Sequence, residues 1–356
     1  MEVLIAHAHN SFLSRMGGAR NYFQHLIDGL LSQKDVKLTF LGMGESVHGA
    51  EWFVPVIKGE VGSWWKFDFA LFKYLLRNKP ASDVIIHTGK LDTMLPFFIL
   101  CRKNKKILSA DTPFFYVNTF RFPFNKIAGW LYNRYEAWAV KRIVAIATDE
   151  RTKKYYLSKY PELEQKIHIV PAVVDMEMFK PAPKTAKNAI IFAGRLEPVK
   201  AVPYLIDAFR LLKERLADVS LLIVGSGSEE KRLKTLADGI NGIVFAGEKS
   251  HEDMPTVLNS GNVLALTSTT EGSPLIVREA LACGLPIVSR AVGDVAQDIT
   301  PETGEIVNGS PKEFADALYR VLQLPAEQTQ TVCVAQAKKY SKEKLTERII
   351  KIYEAL

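Results

Sequence analysis

Cysteine is scarce in this chain: Cys101, Cys283 and Cys333 stand far apart, with no CxxC pair. That argues against a disulfide framework or a cysteine-built zinc site, and sets the expectation of a reducing, cytoplasmic setting. Long apolar runs are also missing. The best candidate, Met94 to Leu100, falls far short of the roughly 18 residues that cross a bilayer. The opening MEVLIAHAHN has neither a basic start nor a small-residue cleavage site, so no secretory signal is expected. No period of roughly 20–50 residues recurs, which argues against a solenoid. No nucleic-acid-binding module is recognisable.

What the chain does have is enough apolar sequence for two cores. Its 356 residues are 47% apolar and 24% charged, the balance of a soluble globular protein with two domains of ordinary size. The net charge of +7 is uneven. Residues 1–175 hold 24 Lys and Arg against 16 Asp and Glu; residues 176–356 hold 22 against 23. The first half is therefore expected to meet an anionic partner, nucleic acid or a membrane surface, or to carry a basic solvated face.

Short apolar runs alternate with helix-length segments throughout. Val3–Ala6, Leu38–Leu41, Val84–Ile86, Ile107–Leu108 and Ile143–Ala147 are candidate strands of the first half. Ala189–Ala193, Leu221–Val224, Ile243–Ala246, Val263–Leu266 and Pro286–Ser289 are those of the second. This alternation predicts parallel sheets covered by helices on both faces. A proline-bearing stretch, Pro171 to Asn188, reads as the linker. The expected domains are 1–172 and 186–340, and Pro325–Leu356 reads as a terminal helix.

Ligands of open parallel sheets bind beyond the carboxyl ends of the strands. Three such ends carry notable residues. Ser14-Arg-Met-Gly17-Gly18-Ala19 opens a helix, where glycines admit a phosphate or simply make a tight turn. Gly194-Arg195-Leu-Glu-Pro-Val-Lys200 sets two cations at a strand-to-helix junction, fit for a diphosphate or merely exposed. Thr270-Glu271-Gly272-Ser273-Pro274-Leu275 leads into a helix bearing Glu279. Ser273 can cap that helix and Pro274 can take its first position. Its N–H groups would meet phosphate, and the two carboxylates would accept hydrogen bonds from sugar hydroxyls. Helix-dipole compensation alone would explain Glu271 but not Glu279. His7 and His9 alternate at a strand end, but with no third ligand nearby they read as packing or acceptor contacts, and His87 reads as lining a cleft.

Glu271-x7-Glu279 within EGSPLIVREALACGLPIV, together with GRLEPVK upstream, resembles retaining glycosyltransferases of the GT-B fold, family 4 (glycosyl transferases group 1). The resemblance covers residues 188–310 closely and the first half more thinly. It implies an α/β chain of two Rossmann-like domains facing across a cleft, with the last helix, 341–356, packing back on the first domain. It further implies main-chain contact of Gly17 and Gly18 with the donor diphosphate, and neutralisation of the leaving group by Arg195 and Lys200 with no metal. Glu279 would hold the ribose hydroxyls. Glu271 would hold the transferred sugar, assisted by the backbone at Gly272, Ser273, Pro274 and Leu275. Gly225 and Phe245 would border the nucleobase. Asp111 occupies the place where many relatives have a histidine facing the sugar. Two departures are the linker, Ala172-Val-Val-Asp175 instead of Asn-Gly-Val-Asp, and Glu-Gly-Ser-Pro instead of Glu-Gly-Phe-Gly.

The implied reaction moves a hexose or N-acetylhexosamine from a nucleoside-diphosphate sugar, UDP-linked in preference to GDP-mannose, to a glycan or lipid-linked acceptor in cell-surface polysaccharide or glycolipid synthesis. The co-substrate is the sugar nucleotide and no other cofactor or metal is implied. A sugar-nucleotide epimerase or a non-catalytic sugar-nucleotide-binding protein is the alternative, and nucleic acid is not expected as a partner. One segment adds to this. On a helix over Ser63–Lys79, Trp64, Phe67, Leu71, Tyr74 and Leu75 form an apolar stripe, with Lys66, Lys73 and Arg77 around it. The stripe predicts either packing on the first domain or peripheral contact with an anionic membrane at the inner face of the plasma membrane.

Overall fold

In a computed structural model of the chain, residues 1–7, 18–44, 50–57, 64–110, 126–171, 173–183 and 187–356 are described, with the side chains of 18–21, 64, 110, 126 and 128 left aside. They divide into two units, Met1–Ala172 with Leu345–Leu356, and Val173–Lys344.

The first unit is built on seven strands: β1 Glu2–Ala6, β2 Lys37–Met43, β3 Phe53–Ile57, β4 Ile85–Thr88, β5 Lys106–Ala110, β6 Val144–Ala147 and β7 Ile167–Ile169. All pair in parallel, in the order β3-β2-β1-β4-β5-β6-β7. Its helices are α1 Gly18–Leu31, α2 Trp64–Arg77, α3 Leu91–Leu100, α4 Lys126–Val140 and α5 Glu150–Lys159. Side chains alternate across a pleated sheet, so one strand serves two cores. Leu4, Ala6, Ile86 and Leu108 meet Phe67, Leu71 and Leu75 of α2 and Met94 and Phe97 of α3. The stripe Phe67, Leu71, Leu75 expected to meet either the core or lipid is thus fully buried core. Asp149 caps α5, its carboxylate accepting from the Thr152 amide at 2.8 Å.

The second unit has β8 Ala189–Ala193, α6 Val202–Arg215, β9 Ser220–Val224, α7 Glu230–Leu236, β10 Ile243–Gly247, α8 Met254–Asn259, β11 Val263–Leu266, α9 Leu275–Ala282, β12 Ile287–Ser289, β13 Gly304–Ile306, α10 Pro311–Leu322 and α11 Ala326–Ala337, and the last helix, α12 Lys342–Glu354, starts in it and runs on into residues of the first. Six parallel strands run in the order β10-β9-β8-β11-β12-β13. Numbered within the unit that is 3-2-1-4-5-6, the order of a dinucleotide-binding sheet. Ile190, Phe192, Leu221 and Ile223 bury against α6 and α10, while Ile191, Val224, Leu264 and Ile287 bury against α9. Ser310 and Glu313 make a reciprocal capping box at α10, with Pro311 in its first turn.

The terminal segment is not one helix. It breaks into α11 and α12 around a 3-10 turn, Lys338–Tyr340. Residues from Leu345 onward belong to the first unit, with Leu345, Ile349 and Tyr353 buried there. Among the described residues no helix is long and apolar enough to cross a membrane.

Candidate functional site

In the second unit the strand order reverses between β8 and β11. Open α/β sheets bind ligands beyond the carboxyl ends of the strands at such a point. The segments that leave β8 and β11 there are Gly194–Ala201 and Thr267–Pro274, two of the motifs singled out in sequence. They are joined by main-chain bonds: the Thr269 amide donates to Val199 O at 2.8 Å, and the Thr267 hydroxyl to Lys200 O at 2.9 Å. The turn after β9 closes on the same place. Gly225 has φ 135°, and a Cβ there would lie 1.9 Å from Gly194 O, so only glycine fits. The Gly194 amide donates to Val224 O at 3.0 Å and the Leu196 amide to Ser226 O at 2.8 Å.

This scaffold brings Lys200 and Glu271 into contact, with Nζ 2.6 Å from Oε1. Both side chains are more than four-fifths shielded, at 18% and 15% exposure, so the pair is only weakly screened. Ser268 donates to the same carboxylate oxygen at 2.6 Å. Arg195 is exposed at the start of its loop. Glu197 is held below the usual carboxylate range by bonds from the Ser228 hydroxyl and amide, at 2.7 and 3.2 Å, which tie the loops after β8 and β9.

The start of α9 departs from expectation. The helix begins at Leu275; Pro274 occupies the cap position with ψ 112° and no side chain caps it. Ser273 therefore does not cap the helix. Its hydroxyl donates to Asp294 Oδ2 at 2.8 Å and accepts from Arg278 Nη1 at 2.7 Å. Pairing with a buried ion outcompetes a cap, because charge-assisted hydrogen bonds are roughly twice as strong as neutral ones. The same turn grips the loop from below. The Asp294 amide donates to Gly272 O at 3.1 Å, and Gly293, at φ 56°, approaches so closely that a Cβ would lie 1.9 Å from that oxygen. Arg278 is fully buried, 2.6 Å from Asp294 Oδ2 and 3.5 Å from Asp298 Oδ2, with its guanidinium 4.0 Å from the Tyr340 ring centre. An ionic wedge thus holds Gly272-Ser273-Pro274 in place.

Glu279 is buried one turn into α9, with Oε1 3.0 Å from His251 Nε2. That bond raises the His251 pKa above its ordinary value, and the ring rests against Phe179 at 5.2 Å between centroids. Phe245 lies on β10, packed against the second unit's core with Lys234 5.9 Å from its ring centre. Gly18 opens α1. Gly17 and Asp111 lie outside the described residues, as does His9. His7 packs against Phe23, ring centroids 4.6 Å apart.

His87, expected to line a cleft, is instead wholly enclosed. Nδ1 is 2.7 Å from the Tyr353 hydroxyl and Nε2 is 2.7 Å from the Ser109 hydroxyl. Burial pushes its pKa down to about 3, so the ring is neutral and ties the last helix to β4. Sequence reasoning missed Ser268, His251 and the Arg278–Asp294 pair. Ser268, three residues before Glu271, is the one with a local signal. His251 reaches Glu279 across 28 residues and Arg278 reaches Asp294 across 16, and no spacing rule announces either.

The Glycosyl transferases group 1 family matches residues 174–340. A GDP-mannose-dependent monoacylated alpha-(1-6)-phosphatidylinositol monomannoside mannosyltransferase of Corynebacterium glutamicum is 31% identical over 178 residues, 44% of this chain and 47% of the relative. The match thus spans about half the length of that curated relative. Among solved structures, sucrose-phosphate synthase from Thermosynechococcus elongatus superposes with a TM-score of 0.75 at 16% identity, covering 99% of this chain and 98% of the other. Anabaena HepE in complex with UDP superposes with a TM-score of 0.73 at 14% identity over the whole of both chains. At those identities the superpositions speak for the fold, and the expected GT-B architecture is borne out. Residues 174–340, nearly the whole second unit, thus match the group 1 glycosyl transferases, and the chain has the GT-B fold.

Proposed function

We propose that the chain transfers a glycosyl group, with retention, from a nucleoside-diphosphate sugar to a glycan or lipid-linked acceptor, and that residues 186–340 hold the donor. The carrying observation is the contact of Lys200 with Glu271 at the point where the strand order reverses. Cleavage of the donor leaves a diphosphate whose negative charge grows in the transition state. Lys200 and Arg195 supply positive charge to it, which is the task a divalent metal performs elsewhere. Glu271, positioned by Lys200 and Ser268, accepts hydrogen bonds from hydroxyls of the transferred sugar. Glu279, oriented by His251, accepts those of the ribose. Gly225 and Phe245 border the base, and the amides at the start of α9 face phosphate.

UDP is the favoured carrier. The complex of HepE with UDP supports it on fold likeness, and the GDP-mannose of the corynebacterial relative's name supports guanine as the second reading. The site needs no enzymatic nucleophile: the leaving phosphate takes the acceptor proton as the hydroxyl attacks from the same face.

The test is release of free nucleotide from UDP-glucose, UDP-galactose, UDP-N-acetylglucosamine and GDP-mannose, in excess EDTA. Wild-type protein should turn over one UDP-sugar, and a matched acceptor should yield a product with the donor's anomeric configuration by NMR. Lys200→Ala should lower kcat about a hundredfold, the scale on which a lost donor to developing charge acts, with KM changed far less. Epimerised donor as product, or no turnover of any sugar nucleotide with or without metal, would overturn the reading.

A further inference from the structure

Twelve large apolar side chains are exposed in the described chain, and nine of them lie on α2, α3 and α4 of the first unit. Such side chains scattered singly need no explanation; gathered on one face they mark an interaction surface. These are gathered. Phe69 and Phe72 of α2, Leu95 and Ile99 of α3 and Leu131 of α4 line one open groove of about 550 Å³. A second groove of about 660 Å³ adjoins it through Leu95 and Ile99, and adds Trp138, Arg102 and Arg142.

The apolar residues are paired with cations along both long helices. Lys73 Nζ sits 4.5 Å from the Phe69 ring centre and Lys66 5.7 Å from that of Trp65. On α4, Arg134 lies 5.2 Å from the Trp130 ring centre, and Arg142, just past the end of the helix, lies 4.4 Å from that of Trp138. Asp68 and Asp92 also line the first groove, and Asp68 accepts a hydrogen bond from Thr93 at 2.9 Å. Protein interfaces concentrate apolar residues at a dry centre and are depleted in lysine. Here Trp, Phe and Leu alternate with Lys and Arg along the whole face. Rings of this kind settle at headgroup depth while flexible cations reach lipid phosphates. The positive excess of residues 1–175 supplies matching charge.

We propose that the exposed face of α2, α3 and α4 docks on an anionic lipid bilayer. It is the side of α2 opposite the Phe67–Leu71–Leu75 stripe, which is spent on the core. No described helix is long and apolar enough to cross the bilayer. The proposal stands apart from the donor site, and its test needs no catalytic turnover.

The experiment is co-sedimentation of the full chain with phosphatidylcholine vesicles with and without phosphatidylglycerol, at low and high salt. Wild-type protein should sediment with the anionic vesicles alone and be released by salt. Trp65→Ser/Phe69→Ser/Trp130→Ser and Lys66→Glu/Lys73→Glu/Arg134→Glu should each lower partition by about tenfold or more. Val244→Ser, an exposed apolar residue of the second unit, should leave partition unchanged. Circular dichroism melts establish that each variant is folded. Wild-type protein remaining in the supernatant would overturn the proposal, as would equal binding to both vesicle types or undiminished binding by folded variants. Lipid-free dimerisation abolished by the tryptophan variant would do so too, assigning the face to a second copy.

Discussion

The two units share a strand order and spend it differently. Each sheet reverses beside its first strand, between β1 and β4 in the first unit and between β8 and β11 in the second. Beyond the second reversal stand charged side chains in direct contact, Lys200 with Glu271, on loops stitched together by main-chain bonds. At the first, on β4, is a neutral histidine sealed between two hydroxyls. Surfaces differ as well: among the described residues, eleven of the twelve exposed large apolar side chains belong to the first unit and only Val244 to the second. Topology says where a ligand can bind, and the residues at the strand ends say which chemistry waits there.

The comparison breaks most visibly at Arg278. The second unit holds its site loop with a buried ion network, whereas the described first-unit counterpart is a neutral one. Arg278→Met keeps the side-chain length but leaves Asp294 and Asp298, both buried, without their cation. Removing one partner of a buried ion pair costs about 3–5 kcal/mol. Urea unfolding should show that loss. Asp298 is already pushed above the usual carboxylate range by burial, against the pull of Arg278, so the variant should recover part of its stability as pH falls and Asp298 takes up a proton. A variant as stable as the parent at neutral pH would make the wedge dispensable.

Sequence legibility follows the same divide between centre and periphery. Every interior strand was readable, β8 and β11 to the residue, because a strand buried on both faces is a continuous apolar run. The strands passed over, β3, β7 and β13, are all at sheet edges. Edge strands pair on one side and tolerate Pro55 and Glu305, which interrupt the apolar run. On α2, periodicity found a stripe but could not see that the opposite face is apolar too. Lys200, Glu271 and Glu279 were visible because motif spacing is local. Ser273 misled, since a serine before a helix resembles a cap until a buried arginine claims its hydroxyl.

His87 sharpens the comparison at intermediate size. His87→Leu leaves the buried Tyr353 hydroxyl without its ring partner, while Ser109 retains Tyr22 at 3.1 Å. An orphaned buried hydroxyl costs about 1–3 kcal/mol. Adding Tyr353→Phe should return part of that loss, since the unsatisfied group is then gone. The pH dependence has a definite sign. With a folded pKa of about 3 against an ordinary 6.5, the unfolded chain binds the proton more readily. Stability from this site is therefore whole above about pH 6.5 and drains away as pH falls towards 3. Urea midpoints across that interval should fall more steeply for wild type than for His87→Leu.

The smallest effect belongs to His251, where the second unit allows a titration that the enclosed His87 does not. Its partner Glu279 raises the His251 pKa above 6.5, through a bond of 3.0 Å. A histidine with a raised folded pKa contributes stability that is complete below its unfolded value and is lost as pH rises through the folded one. The slope is thus opposite to that from His87 and lies above about pH 6.5. His251 is 35% exposed at the side chain, and solvent screening keeps the pair to about 1 kcal/mol or less. His251→Gln can still donate to Glu279 but carries no charge. Its urea midpoint should trail wild type at mildly acidic pH and converge with it in alkaline buffer. A gap of constant size across that range would show that the ring serves by packing on Phe179 and not by its charge.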